Sequence, residues 1–384
     1  MAERVLPLQV GQRIGPVEVG PIAHGGHCVS RWDGMVVFVR HAIPGEQVRV
    51  EITGVQARFA RGDAVEVVDA SPLRRPAPCP VAAACGGCDF QHLPVAASRE
   101  LKREVVAGLL QHQAGIAFTG AVESADRDGF GWRTRMRYHR DDQGRLGLRA
   151  HRSNEVVPLP PQGCLIADQR IARPGVLPGE EPVIAVAAAS GAVMAERAAL
   201  PATLTERLGQ RRFEVAADGF WQSHAAAPRL LTDAVLAALQ PVAGEWAFDL
   251  FCGVGLFAAA LVDAGCQVWG IEGSAQAVRY ARRNVPEARF WAGDVAATLR
   301  RMPARADLVV LDPPRSGAGK AVLAGLASRR PRALAYVSCD PASLARDLAT
   351  AAGLGYRTVQ LRAFDLYGTT HHVECLALLV PAGV

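Results

Sequence analysis

Three short segments in the C-terminal part of the chain carry side chains fit for catalysis. In Val337-Ser338-Cys339-Asp340-Pro341 a cysteine closes an apolar run and precedes a helical pattern. A thiol beside a helix N-terminus can have its pKa lowered and become nucleophilic. The plainer reading is a buried thiol at a strand end. In His371-His372-Val373-Glu374-Cys375 a glutamate leads an otherwise apolar run. That carboxylate is either a solvated strand start or a general base facing a cleft. Leu311-Asp312-Pro313-Pro314-Arg315 also ends an apolar run, and its two prolines stiffen the loop that follows. Loops at the carboxyl ends of strands are where α/β folds bind ligands.

A fourth segment, Phe248-Asp249-Leu250-Phe251-Cys252-Gly253-Val254-Gly255, ends a strand pattern and opens a helix. Gly253 and Gly255 allow a sharp turn and a close approach to a ligand. Glu272 ends the next strand pattern, where a carboxylate accepts from ribose hydroxyls. Asp294 ends the third and is placed to bond an adenine amino group. The glycine pair alone can be an ordinary turn. The third glycine of the dinucleotide fingerprint is missing, with Phe257-Ala258 in its place. A compact adenosine ligand without pyrophosphate, S-adenosylmethionine, fits better than NAD.

The chain has nine cysteines. Cys79, Cys85 and Cys88 form a tight trio, the turn Gly86-Gly87 aims two thiolates at one centre, and Cys164 supplies a fourth ligand. Four thiolates suit zinc or an iron–sulfur cluster, and spacing does not choose between them. Absence of a metal is the third option. Met1–Val10 shows no secretory pattern, so the expected compartment is the cytoplasm, where structural disulfides are rare.

The elements that must position these residues follow from periodicity. The fold class expected is α/β, with three units. Residues 1–70 read as a small barrel of about five strands, with Asp33-Gly34 as a hairpin turn. Residues 71–210 hold the cysteine trio, a helix over Ser98–His112 and a β-leaning remainder. Residues 211–384 alternate strands and helices, which implies a mainly parallel sheet covered on both faces. Its strands are expected at Trp246–Phe251, Gln267–Ile271, Ala288–Trp291, Leu308–Leu311 and Ala333–Val337. Two late runs, Arg357–Phe364 and His372–Val380, should pair antiparallel at the end of the sheet.

The length of 384 residues allows two or three domains with proper cores. A hydrophobic fraction of 50% excludes a mostly disordered chain. No apolar run is long enough to span a membrane. The net charge of +5 is no nucleic-acid signature by itself. The best basic patch is 132–140, where alternation puts Arg133, Arg135 and Arg137 on one strand face. There the cations meet phosphates and Trp132 or Tyr138 stack on bases, unless the strand is only a solvated face.

The catalytic segments share one chemistry. C5 of uracil is too electron-poor to attack a sulfonium methyl. A thiolate adding at C6 turns C5 into an enolate carbon, and a base must later take the C5 proton so that the thiolate can leave. One thiol, one carboxylate and one adenosyl site suffice.

On Phe220-Trp221-Gln222, Asp249–Gly255, Asp312–Gly317, Ser338-Cys339-Asp340-Pro341 and His372-Val373-Glu374-Cys375, the chain resembles the uracil-C5 RNA methyltransferases. The resemblance implies a class I, Rossmann-like methyltransferase domain, with Cys339 as nucleophile and Glu374 as base. Gln222, Phe251, Glu272, Asp294 and Asp312 fall where the family contacts cofactor or target base. The family commonly has Asn at the positions of His224 and Leu256. Residues 1–70 resemble a TRAM domain, an RNA-binding barrel. The trio with its distant cysteine resembles the branch that modifies ribosomal RNA and binds a 4Fe–4S cluster. The implied partner is RNA, 23S ribosomal RNA first and transfer RNA second, with no membrane. The oligomeric state stays open, with a monomer as the default. A non-catalytic RNA-binding or cluster-sensing protein on the same scaffold is the reading from another class.

Overall fold

The computed structural model describes residues 8–126, 128–175 and 177–383. The first seven residues of Met1–Val10 lie outside the described residues.

Strands β1 (Arg13–Glu18), β2 (Ile22–Ala23), β3 (His27–Trp32), β4 (Met35–Arg40), β5 (Gln47–Val55) and β6 (Phe59–Asp69) form one sheet. Its order is β1-β5-β6-β4-β3-β2, around a core that includes Val37, Val39, Val48, Val50 and Ile52. The β3–β4 hairpin turns at Asp33 (φ 45°) and Gly34 (φ 83°), the pair of left-handed positions that a tight hairpin needs.

The cysteine segment leads into α1 (Val95–Ala114) and β7 (Val122–Ser124). Then come β8 (Arg135–Arg140), β9 (Leu146–Arg149), β10 (Val156–Pro158), β11 (Val183–Ala188) and β12 (Gly191–Glu196), a sheet of order β10-β9-β8-β11-β12. A hairpin of β13 (Thr203–Leu208) and β14 (Arg211–Ala216) follows. Alternation in β8 buries Met136 and Tyr138 and leaves Arg137 exposed. Two expectations for this patch fail. Trp132 and Tyr138 are buried and tied to the backbone, Trp132 donating to the Gly368 carbonyl (3.2 Å) and Tyr138 to that of Ile171 (2.8 Å). Neither ring is free to stack on a base. Arg135 is consumed by an ion pair with Glu206 at 3.0 Å.

The third sheet has eight strands. In chain order its elements are α2 (Ala227–Leu239), β15 (Trp246–Leu250), α3 (Leu256–Asp263), β16 (Gln267–Glu272), α4 (Ala275–Asn284), β17 (Arg289–Ala292), α5 (Val295–Leu299), β18 (Leu308–Leu311), α6 (Gly319–Ala327), β19 (Ala333–Ser338), α7 (Pro341–Gly353), β20 (Tyr356–Asp365) and β21 (Glu374–Pro381). The order is β17-β16-β15-β18-β19-β21-β20-β7. The first five strands are parallel, and β21 is inserted antiparallel between β19 and β20. Helices α2, α3 and α4 pack on one face and α1, α5, α6 and α7 on the other. This is the doubly covered parallel sheet that the alternation implies.

One feature of the sheet is invisible to local pattern. Both α1 and β7 come from the cysteine-bearing stretch, yet β7 closes the edge of the C-terminal sheet, parallel to β20. Lys102 of α1 is buried against Asp365 at 2.6 Å. No helix among the described residues is long and apolar enough to cross a membrane.

Candidate active site

Strand order reverses beside β15, so the loops after β15, β16, β17, β18 and β19 open onto one crevice. The cleft there measures about 740 Å³. Eight of the nine residues expected in catalysis and cofactor binding line it: Gln222, Phe251, Gly253, Glu272, Asp294, Asp312, Cys339 and Glu374. Gly255 does not. It precedes α3 at φ 95°, and a Cβ there would stand 3.1 Å from Val285 Cγ2, so its role is the turn itself.

The cofactor loop is braced by carboxylates. The Glu272 side chain accepts from the Gly253 and Ser274 N–H groups at 3.1 and 2.8 Å. Asp294 caps α5 through the Ala297 N–H at 2.8 Å. Asp249, fully buried in β15, accepts from the Ala258 N–H at 2.8 Å, and its other oxygen has no partner. Burial, helped by Asp312 and Glu272, pushes its carboxyl up to about 8.

On the catalytic side, Gln222 Nε2 faces Asp312 Oδ2 at 3.5 Å. Asp312 and Glu374 are both raised far above the ordinary carboxylate range, by burial first. The Asp312 charge further raises Glu374. The Cys339 thiol is also pushed up, to about 11, by burial and then by Glu374, against the pull of Arg315. The sequence suggested a thiol lowered by the α7 N-terminus. The Asp340 side chain caps that terminus through the Ser343 N–H at 2.7 Å, and carboxylates surround the sulfur. The helix end therefore has little field left to offer. The cleft gathers acids in a low-dielectric space, which favours a cationic occupant.

The residue profiles of two families match the chain: the TRAM domain over residues 7–65 and tRNA (Uracil-5-)-methyltransferase over residues 297–381. A Streptomyces avermitilis protein described as an uncharacterized RNA methyltransferase is 43% identical, over 95% of this chain and 98% of the relative. The chain belongs to the RNA (uracil-5) methyltransferase family. A Corynebacterium efficiens RNA methyltransferase is 34% identical over 94% of this chain and 93% of its own. Among solved structures, the tRNA (uracil-54, C5)-methyltransferase of Pyrococcus abyssi in complex with S-adenosyl-L-homocysteine has the same fold. Its TM-score is 0.72 at 22% identity, covering 95% of this chain and 99% of that one.

Two residues that line the cleft escaped sequence reasoning. Tyr367 lines the cleft and donates its hydroxyl hydrogen to Glu374 Oε2 at 2.9 Å. Its position in a loop with no periodic pattern gave no signal. Phe220 lines the cleft with 69% of its surface exposed, and its place in Phe220-Trp221-Gln222 was the available hint. His224, by contrast, is buried away from the cleft. It faces Asp126 at 3.3 Å and stacks on Trp132, while Leu256 lines the cleft as the first residue of α3.

Cys79, Cys85, Cys88 and Cys164 line one small cavity of about 20 Å³, with Leu148, Leu159 and Ile166 among its walls. Among the described residues, no three His, Cys, Asp or Glu side chains stand close enough to hold one ion. Burial raises the Cys85 and Cys164 thiols and lifts Cys88 to about 12. The Gly87 N–H donates to Cys85 Sγ (3.3 Å) and the Thr369 hydroxyl to Cys88 Sγ (3.4 Å). Four thiols are the donor type that thiolate-bound centres use, while burial favours their protonated form. The space between the thiols is about one water's worth.

Proposed function

We propose that this methyltransferase adds a methyl group to C5 of a uridine in structured RNA, through a covalent bond between Cys339 and C6. The observation that carries this reading is the meeting of Cys339 and Glu374 in one acidic cleft, from loops 35 residues apart in sequence. When bound, S-adenosylmethionine supplies an electrophilic methyl on a cationic sulfur. Glu272 and Asp294 hold the adenosine, and Gln222 and Asp312 orient the base. The flipped uracil is attacked at C6 by the Cys339 sulfur, and the C5–C6 π pair moves into the enolate. C5 takes the methyl group, Glu374 removes the C5 proton, and the released pair expels the thiolate. Burial and Glu374 hold the Cys339 thiol up at about 11, and the positive charge that S-adenosylmethionine would bring favours loss of the thiol proton to solvent before attack.

The test is Glu374→Gln with RNA and S-adenosylmethionine. A methylated protein–RNA adduct should accumulate on denaturing gels and vanish in Cys339→Ala. Turnover by Cys339→Ala would overturn the mechanism. Ribosomal RNA is the favoured substrate, because the cysteine trio with Cys164 resembles the branch that modifies it. The transfer-RNA reading is favoured by the name of the matching profile. Mapping methylated uridines with and without the protein decides. The cytoplasm is the compartment this reading implies.

The four thiols are assigned to an iron–sulfur cluster. The support is the resemblance of the trio and its distant cysteine to the cluster-binding branch, since four thiolates by themselves suit zinc equally. Anaerobically purified protein should be brown with about four irons per chain. Colourless protein with stoichiometric zinc overturns the assignment.

A further inference from the structure

The N-terminal barrel reaches the catalytic loops at one place. The turn His24-Gly25-Gly26 joins β2 to β3, with Gly25 at φ 95° and Gly26 at φ 78°. A Cβ on Gly26 would stand 2.8 Å from His371 Cβ and 3.4 Å from that of Asp89, so the bare backbone lies directly on His371. His371 is held by Asp89, which accepts from its N–H at 2.9 Å and meets its ring at 2.7 Å. Three residues later the chain reaches Glu374.

The same turn touches the nucleophile's loop. His24 Nε2 meets Asp340 Oδ2 at 3.1 Å. Asp340 directly follows Cys339, and its other oxygen caps α7. Burial acts to raise the Asp340 carboxyl, but His24 and the Ser343 N–H outweigh it and hold it at about 2. One three-residue turn therefore braces both loops that carry the reacting side chains. The two loops lie at the same end of the antiparallel β19–β21 pairing, where Ser338 stands opposite Cys375. A side chain fixed at both ends keeps its neighbour in a narrow range of positions. Small displacements of a reacting group cost large factors in rate.

We propose that His24 is a positioning residue for the methyl transfer, setting the Cys339 thiol through Asp340, so that the barrel is part of the catalytic apparatus as well as a holder of RNA. The inference rests on Cys339 being the nucleophile. The bond joins the RNA-binding unit to the reacting loop, so RNA seated on the barrel and the thiol's placement share one contact.

The test uses three variants of the full chain. His24→Ala removes the bond. His24→Asn keeps a polar turn residue whose amide is too short to reach Asp340. His24→Gln restores a donor near the position of Nε2. Two readouts are taken: steady-state methylation of RNA, and the rate at which iodoacetamide alkylates Cys339 without RNA, followed by peptide mass spectrometry. The Ala and Asn variants should lose about fivefold in kcat with KM for RNA within about twofold. Their Cys339 alkylation rates should shift by about threefold or more, and Gln should return both readouts to near wild type. Adding His24→Ala to Asp340→Ala should cost nothing further if the effect passes through Asp340. A rise in KM at constant kcat makes His24 an RNA contact and overturns the proposal, as does an unchanged alkylation rate. Wild-type protein that fails to methylate uridine sinks the functional reading instead, since alkylation is read without RNA.

Discussion

Tyr367 and Asp249 carry the sharpest expectations at the scale of single residues. The Tyr367 hydroxyl donates to Glu374 and lowers its carboxyl against the larger upward push of burial. Tyr367→Phe removes that donor, so the base holds its proton to higher pH. The acid limb of the pH–rate profile should move upward, with about a tenfold loss near pH 7, the scale of one hydrogen bond to a charged group. An unmoved limb would show that Tyr367 does not tune the base. Asp249 is raised in the folded state from 3.8 to about 8. The folded chain therefore binds a proton more tightly than the unfolded one, and stability falls as pH rises from about 4 to about 8. Asp249→Asn keeps an acceptor for the Ala258 N–H and abolishes the titration. Thermal melts of the variant should lose less stability than wild type over that window. Parallel slopes for the two proteins would refute the assignment.

At the scale of elements, each loop is held by backbone geometry as much as by side chains. Gly255→Ala puts a Cβ into a left-handed turn, 3.1 Å from Val285 Cγ2. It should cost about 1–3 kcal/mol in chemical denaturation and weaken S-adenosylmethionine binding measured by calorimetry. A variant with wild-type stability would show the loop to be slack. The sequence was most informative here, because strands and helices alternate with clear periods. Strand Leu308–Leu311 and helix Ala275–Asn284 have the bounds their periodicity suggests. The placements of Cys339, Asp312 and Glu374 were legible because the first two close an apolar run and the third opens one. Tyr367 was not, since an irregular loop has no period and its partner Glu374 is brought back to it only by the turn between β20 and β21. Nor was the burial of Trp132 and Tyr138. Their fate depends on Gly368 and Ile171, contacts between distant segments that alternation within one strand does not encode.

At the scale of the whole molecule, the edge strand β7 makes the C-terminal sheet depend on the first third of the chain. A fragment beginning at residue 211, where the texture of the sequence changes, lacks α1 and β7. It leaves Asp365 without Lys102 and uncovers apolar residues that meet Val106, Leu110 and Val122. Such a fragment should be aggregation-prone, whereas one beginning at Pro94 should melt cooperatively. A soluble, cooperative fragment from 211 would mean that the edge is dispensable. The same pairing sets a timetable for the growing polypeptide. Val122 meets Ala363 about 240 residues downstream. At 5–20 residues per second, roughly 12–48 s separate emergence of the two strands from the ribosome. For that interval the apolar stripe of α1 and the edge of β7 have no permanent cover, so the nascent chain passes through a window in which a chaperone, or a neighbouring nascent chain, competes for the places that α7 and β20 will take.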